Sequence, residues 1–352
     1  MARRVTIQDV ADRAGVGKVT VSYVLNGKDE EARISPATAE RIRAAAIELN
    51  YRPSAVGRML ARSQADAVAM VFQYGDYFGA QTAFISEVMR CVCKACVENQ
   101  VDVVLHTKLA SDPLTEANNF TDGRVDGVLM IRDAEDATYL ELVARDFPTV
   151  LFFCRSDQPN AHYIACDNQR GGRMATEHLI HLGHTRIGMI RGGMGSVDSN
   201  DRLVGYQAAL NTSGINFDPE LVVEYHGADG HSEDFLALMQ RPDRPTGLVV
   251  WSDDAAFECI RLCNGIGLNV PGDVSLIGFD STHACERSNP PLTSIRQPIE
   301  LICAEAVRLL LALRKSPVDA TLCRQIFPPI LDVRQSTGHP PKNSSTMRSS
   351  TK

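Results

Sequence analysis

From Ala67 onward, short apolar runs alternate with longer stretches of helical periodicity, and that rhythm limits the chain more than any other feature. The runs are AVAMVF, VDVVLH, VDGVLMI, TVLFF, YIAC, RIGMI, LVVEY, TGLVVW and VSLIGF. Strands separated by helices cannot be joined by tight hairpins, so the pattern predicts parallel sheets with helices on their faces. Nine strands are too many for one small sheet. They predict two doubly wound subdomains with a ligand crevice at the strand C-termini.

The first sixty residues follow a different pattern. Thr6 precedes an apolar-periodic run (Ile7, Val10, Ala11), with Asp9 three residues on, a capping-box variant that starts a helix. Gly15 ends that helix, and a second runs from about Gly17 to Leu25 before Asn26-Gly27 stops it. A third begins at Ser35 with Pro36 in its first position and reads to about Leu49; Ile42, Ala45, Ala46 and Leu49 form its inner face. Two short helices across a glycine turn make a helix-turn-helix. On the second helix Val16, Val21, Val24 and Leu25 share one side, and Lys18, Val19, Ser22 and Tyr23 share the other. A major groove admits one helix, so this second side is a candidate base-reading face, with Lys18 for guanine and Val19 for a thymine methyl. The same pattern also fits an ordinary helical hairpin with a solvated face.

Charge divides along the chain in the same place. Residues 1–62 carry eleven Lys/Arg and seven Asp/Glu, a balance of +4, which leaves −11 for the remainder. Only the basic N-terminal block suits a polyanion, while the acidic remainder favours solubility. At 352 residues the chain suits two or three domains. It contains no apolar run long enough to span a bilayer, and MARRVTIQDV does not read as a signal peptide, so a soluble cytoplasmic protein is expected. Ten scattered cysteines fit reduced buried thiols rather than a disulfide framework.

TIQDVADRAGVGKVTVSYVLNG, followed by ISPATAERIRAAAIELNYRPSAVGRMLAR, closely resembles the DNA-binding headpiece and hinge of the LacI/GalR family of bacterial transcriptional regulators. Order, spacing and caps agree over some sixty residues. The resemblance implies that Lys18, Val19 and Tyr23 reach base edges, and that the segment Ser54 to Ala61 forms a hinge helix on the operator, with Leu60 wedged into the minor groove. Thr6, Gly17, Thr20, Ser22, Asn26 and Tyr51 of the headpiece, with Ser54, Val56 and Arg58 of the hinge, complete the implied DNA-binding set. Two departures stand out: Gly17 replaces the usual Ser, and Tyr23 replaces a common Arg, so a bidentate guanine contact is lost there. Gly57 lowers the hinge helix's propensity by roughly 1 kcal/mol relative to Ala.

Further landmarks, DGVLMI, DNQRGGRMATEHLIHLGHTRIGMI, DRLVGYQAAL, GDVSLIGFD and NPPLTSIRQP, are similar to that family's effector-binding core, which is itself similar to periplasmic sugar-binding proteins. The expected fold is an all-α helix-turn-helix headpiece (1–50), a hinge (51–64) and an α/β periplasmic-binding-protein-like core (65–338) of two parallel-sheet subdomains. The first subdomain is expected over about 65–166 and 297–324, the second over about 167–296 and 325–338. Residues 339–352 lack apolar periodicity and read as a disordered tail. The resemblance implies Arg202, Asp280 and Gln297 at the effector, with Asp253 beside them; the Arg and Asp suit paired hydroxyls. Arg202 and Asp280 could instead simply pair with each other. Ser252, Phe153, Cys154 and Asp229 depart from sugar-responsive relatives, putting a standard hexose in doubt. Tyr74, Tyr77, Phe78 and Trp251 are candidates for an apolar wall, or for core packing.

Other motifs carry less. Gly192-Gly193-Met194-Gly195 lacks the remaining residues of a dinucleotide or phosphate loop, and His178, His181 and His184 are split by Gly183. Cys91-Val-Cys93-Lys-Ala-Cys96 continues a helical pattern from about Gln81 and has no second ligand pair at zinc spacing. No catalytic motif, cofactor or metal site is expected. The chain thus reads as a homodimeric operator-binding regulator, a repressor before an activator or dual regulator, with a small-molecule effector. A sugar-transport protein and an enzyme on the same fold are the rivals, the first opposed by the headpiece.

Overall fold

The computed structural model describes residues 5–52, 59, 64–72, 82–107, 110, 112–193, 195–225, 232–315 and 323–341. It divides into two compact units, 1–66 and 67–352. The first is a three-helix unit of α1 (Ile7–Ala14), α2 (Lys18–Leu25) and α3 (Pro36–Glu48). The expected caps are present. Thr6 donates its backbone N–H to Asp9 Oδ2 at 2.8 Å while its hydroxyl accepts from the Asp9 amide, Gly15 closes α1 at φ 61°, and Ser35 caps α3. Val10, Ala11, Ala14, Val21, Val24, Ala39, Ile42, Ala45 and Ala46 form the shared core, and most of the hydrophobic drive of so small a unit rests on them.

The second unit holds two six-stranded sheets. In the first, β1 (Ala67–Phe72) lies between β2 (Asp102–Leu105) and β3 (Val128–Ile131), followed by β4 (Thr149–Phe152), β5 (Tyr163–Cys166) and β11 (Arg324–Phe327), all parallel. In the second, β6 (Ile187–Arg191) lies between β7 (Val222–Glu224) and β8 (Gly247–Val250). Then come β9 (Ser275–Asp280), β10 (Thr293–Arg296) and β12 (Ile330–Asp332), the last antiparallel. The connecting helices are α4 (Ala83–Glu98), α5 (Pro113–Phe120), α6 (Ala137–Ala144), α7 (Asn168–His181), α8 (Val197–Thr212), α9 (Ser232–Gln240), α10 (Asp253–Gly265) and α11 (Ile299–Leu313). All nine apolar runs are strands. Each sheet reverses its winding beside its first strand, at β1/β3 and β6/β8, which opens a crevice at the carboxyl ends.

Helices cover both faces of the second sheet: α7 and α8 pack on Met189, Val249, Ile277 and Phe279, and α9 and α10 on Ile190, Leu248, Val250 and Leu276. Such double coverage explains why β9 is buried along its whole length and reads as a continuous apolar run. In the first subdomain α4 and α11 lie together against Val68, Met70, Leu129 and Phe152.

The chain crosses between subdomains three times, after β5, after β10 and at Pro328-Pro329. The third crossing corrects an expected boundary. Arg324–Phe327 pairs with β5, so residues 325–327 belong to the first subdomain, not the second. The expected tail also begins later than 339, because His339 Nδ1 donates to the Leu182 carbonyl at 2.9 Å and Pro340 rests on Gly183. Residues 342–352 lie outside the described set. Among the described residues, no helix is long and apolar enough to cross a membrane.

Candidate nucleic-acid interface and effector cleft

On α2 the two sides are sharply different. Val21 and Val24 are buried, whereas Val19 is 67% and Tyr23 42% exposed, with Lys18 and Gly17 exposed beside them. Thr20 and Ser22 are half-buried. Gly17 brings no capping side chain, so the first-turn amides of α2 are left to solvent or to a partner. Asn26 folds back to donate to the Ser22 carbonyl at 2.8 Å and closes the last turn, Tyr51 packs on the headpiece core, and Thr6 is engaged in its capping box. An exposed cation, β-branched apolar side chain and phenol on one face can meet base edges chemically. Ser54, Val56, Gly57, Arg58 and Leu60 lie outside the described residues.

In the core, Arg202 on α8 is 4% exposed and forms a cradle at the carboxyl ends of β8 and β9. Its Nε donates to Asn168 Oδ1 at 2.9 Å and its Nη1 donates to the Trp251 carbonyl. The guanidinium lies 3.6 Å from the Phe279 ring centroid and 5.8 Å from that of Trp251. Asp198 stands 3.7 Å away. Helices α7 and α8 bring these groups together because glycines face each other between them: a Cβ on Gly205 would lie 2.0 Å from the Gln169 carbonyl oxygen.

Asp280 ends β9 at φ 110°, a strained conformation for a non-glycine residue, and Oδ1 accepts from Gln297 Nε2 at 2.7 Å. Gln297 sits on the second crossing, is 4% exposed, and its Oε1 is buried with no hydrogen-bond partner. Trp251 Nε1 is likewise buried and unpartnered, its indole packed over Gly192. Asp253, at the start of α10, is bonded within the protein: Oδ2 accepts from Thr282 N at 2.8 Å and Oγ1 at 3.1 Å, and Oδ1 accepts from Ser294 Oγ at 2.5 Å. Burial raises the Asp253 carboxyl to about 6 against these bonds. Burial, and then the facing Asp253, push Asp280 well above the ordinary carboxylate range, opposed by Arg202. Arg202, Trp251, Asp280 and Gln297 therefore meet, while Asp253 holds the loop that carries Asp280. Tyr74, Tyr77 and Phe78 lie outside the described residues.

Sequence reasoning did not single out several groups at this site. Asn168, one residue past the first crossing, orients Arg202. Phe153, which the sequence marked as a departure, has φ 68° after β4, is buried in the first-subdomain core and meets Phe84 edge-on at 5.0 Å. Arg155 reaches from the first subdomain to Asp201 of α8, Nε to Oδ2 at 2.7 Å and Nη2 to Oδ1 at 3.0 Å, and Gln169 Nε2 shares Oδ1 at 3.0 Å.

Residues 6–54 match the family of bacterial regulatory proteins, lacI family, and residues 176–337 match the periplasmic binding protein-like domain. The HTH-type transcriptional regulator CelR of Thermobifida fusca is 32% identical over 315 residues, covering 88% of this chain and 91% of CelR. The chain belongs to the lacI family. It is thus a transcriptional regulator with a helix-turn-helix unit and a periplasmic-binding-protein-like core. The PurR repressor of Haemophilus influenzae (strain PittEE) is 31% identical over 313 residues, 87% of this chain and 90% of PurR. A lacI-family architecture also appears in solved structures. A CelR–cellobiose complex has a TM-score of 0.71 at 31% identity, covering 95% of this chain and 100% of that one. A lac repressor dimer bound to operator and the anti-inducer ONPF has a TM-score of 0.80 at 27% identity, covering 96% and 100%.

Proposed function

We propose that this lacI-family regulator binds a near-palindromic operator as a homodimer and represses transcription, its DNA affinity set by a small hydroxylated metabolite in the core cleft. The observation that carries the reading is the outward face of α2, where Val19 is 67% exposed beside Lys18 and Tyr23. A large apolar side chain is held in solvent there although the helix has a buried side available, which suits a groove partner. The cleft supports the second half: Gln297 Oε1 and Trp251 Nε1 are an acceptor and a donor left without partners, the complement of a ligand bearing hydroxyls. CelR bound to cellobiose and the lac repressor dimer bound to operator support the same assignment by likeness.

Coupling follows from the three crossings. A ligand that binds both subdomains favours their closed arrangement, and it shifts the DNA-binding state only by its differential affinity for the two arrangements. The chain acts by binding rather than turnover.

Selection of operators from random duplex DNA with the full chain tests the first half; failure to enrich a two-fold symmetric sequence sinks it. A thermal-shift screen of sugars, polyols, nucleobases and phosphorylated metabolites tests the second. A ligand at 100 times its dissociation constant adds about 2.7 kcal/mol. Such a ligand should change Trp251 emission, and Asp280→Ala should abolish both responses. Product formed from the ligand would overturn the non-enzymatic reading.

A further inference from the structure

Two consecutive residues where β9 ends, Asp280 at φ 110° and Ser281 at φ 51°, lie in the backbone region that favours glycine, and neither is glycine. Such a pair persists only where the surroundings hold it. The Ser281 amide donates to Ser294 Oγ at 3.1 Å, and the Thr282 amide donates to Asp253 Oδ2 at 2.8 Å. The Ser281 hydroxyl donates to Asp332 Oδ2 at 2.7 Å and accepts from Arg334 Nη2 at 3.0 Å, so its proton and a lone pair are both engaged. Asp332 closes β12, the antiparallel strand reached by the third crossing, and its Oδ1 accepts from Arg296 Nη2 at 2.8 Å. Arg334 is fixed in turn: its Nη1 donates to the Leu292 carbonyl at 2.8 Å and its amide donates to Thr293 Oγ1 at 2.9 Å.

We propose that Asp332 and Arg334 are positioning residues of the effector cleft: they clamp the Ser281 hydroxyl, hold the strained turn after β9, and so aim the Asp280 carboxyl at Gln297 and at the bound metabolite. The assignment rests on the cleft being the effector site. Both residues act through Ser281. If φ of Ser281 relaxes to negative values, the peptide between Asp280 and Ser281 swings, and the Asp280 side chain leaves its buried seat for water. A carboxyl held at one angle selects among hydroxyl arrangements; one that swings does not. The clamp thus supports the geometry of recognition from a strand that carries none of the cleft's own ligand groups.

The test is a pH titration of the full chain by NMR, with 13C at the aspartate side-chain carboxyls and the Asp280 signal assigned by its loss in Asp280→Asn. Burial and the facing Asp253 hold the Asp280 carboxyl well above the ordinary 3.8, so its titration reports its seat. Asp332→Ala should bring that titration down toward 3.8. Arg296→Met, which removes only the outer partner of Asp332, should leave it raised. Adding Ser281→Gly to Asp332→Ala should restore the raised titration, because glycine takes φ 51° without a clamp. A merely stabilising Asp332 would not be rescued in this way. An Asp280 signal that titrates in the ordinary range in the wild type, stays raised in Asp332→Ala, falls equally in Arg296→Met, or is not restored by Ser281→Gly would overturn the proposal. If Asp332→Ala does not fold, Ser281→Ala, which removes the bridging hydroxyl and keeps the strain, decides in its place. None of these measurements uses the effector, so a failure of the effector reading shows separately, in the thermal-shift response of Asp280→Ala.

Discussion

Gly172 touches Arg202 backbone to backbone: a Cβ on Gly172 would stand 2.1 Å from the Arg202 carbonyl oxygen. This approach lets Asn168, one turn earlier on α7, reach the Arg202 guanidinium, so the glycine positions a side chain that it does not itself contact. Because the clash is with main chain, no rotamer change relieves it. Gly172→Ala should lose about 1–3 kcal/mol of stability despite its better helix propensity. Urea unfolding measures the loss, and a shift in Trp251 emission should report the displaced cradle. Gly265, whose Cβ would meet nothing within 4 Å, is the control. Gly265→Ala should be neutral or stabilising by up to about 1 kcal/mol, and equal losses at both sites would remove the close-approach argument.

Tyr23 faces outward where a bidentate donor is common in the family. Tyr23→Arg should move selected operators toward guanine at one symmetric position, with discrimination of about 1–3 kcal/mol per contact. Sequencing of selected operators reads this directly. An unchanged consensus would mean that Tyr23 does not face bases.

Arg155 and Asp201 join the two subdomains through a forked pair whose Asp side chain is 8% exposed. Asp201→Asn should cost about 1.5–3 kcal/mol, the range for hydrogen bonds to charged groups. The double exchange Arg155→Asp with Asp201→Arg should recover part of it. A double-mutant cycle in urea measures the coupling, and additive losses would show that the pair does not link the subdomains energetically.

His184 sits at the base of the second sheet, its Nε2 donating to the Gly338 carbonyl at 3.0 Å and its Nδ1 accepting from Thr246 at 2.9 Å. Burial lowers the His162, His178 and His184 rings below the ordinary value of 6.5. The unfolded chain therefore takes up protons before the folded one, and stability should fall as the pH drops below 6.5. Asp253 works in the opposite sense: raised to about 6 from 3.8, it is protonated first in the folded chain and offsets part of the loss between those values. His184→Gln should flatten the pH slope from 7 to 6 in denaturant titrations, even though it lowers the plateau. An unchanged slope would point to the other histidines.

Much of this was readable from residues alone, for definite reasons. Nine strands were legible because sheets covered on both faces write continuous apolar runs, as along Ser275–Asp280. The caps at Thr6 and Ser35 were legible because they act within one turn. Arg324–Phe327 was not: half exposed at a sheet edge, its pairing with Tyr163–Cys166 comes from a crossover that leaves no local trace. For the same reason Arg202 could be named from resemblance, but not its bond to Asn168, which exists only because two helices meet at glycines. Asp253 was placed with the ligand groups by position; its three internal hydrogen bonds depend on Thr282 and Ser294, whose proximity the sequence does not reveal.

The third crossing has a consequence for biosynthesis. The first sheet lacks its edge until Arg324–Phe327 has been made, and the second lacks its antiparallel strand until Asp332. A ribosome must therefore translate nearly the whole chain before either subdomain can close, although the three-helix unit is complete after some fifty residues. The nascent core thus carries an unpaired edge on each sheet, beside Tyr163–Cys166 and Thr293–Arg296, for longer than a chain of two sequential domains would. A stop codon at residue 320 would yield an unfolded core attached to a folded headpiece, not a regulator lacking only two small strands.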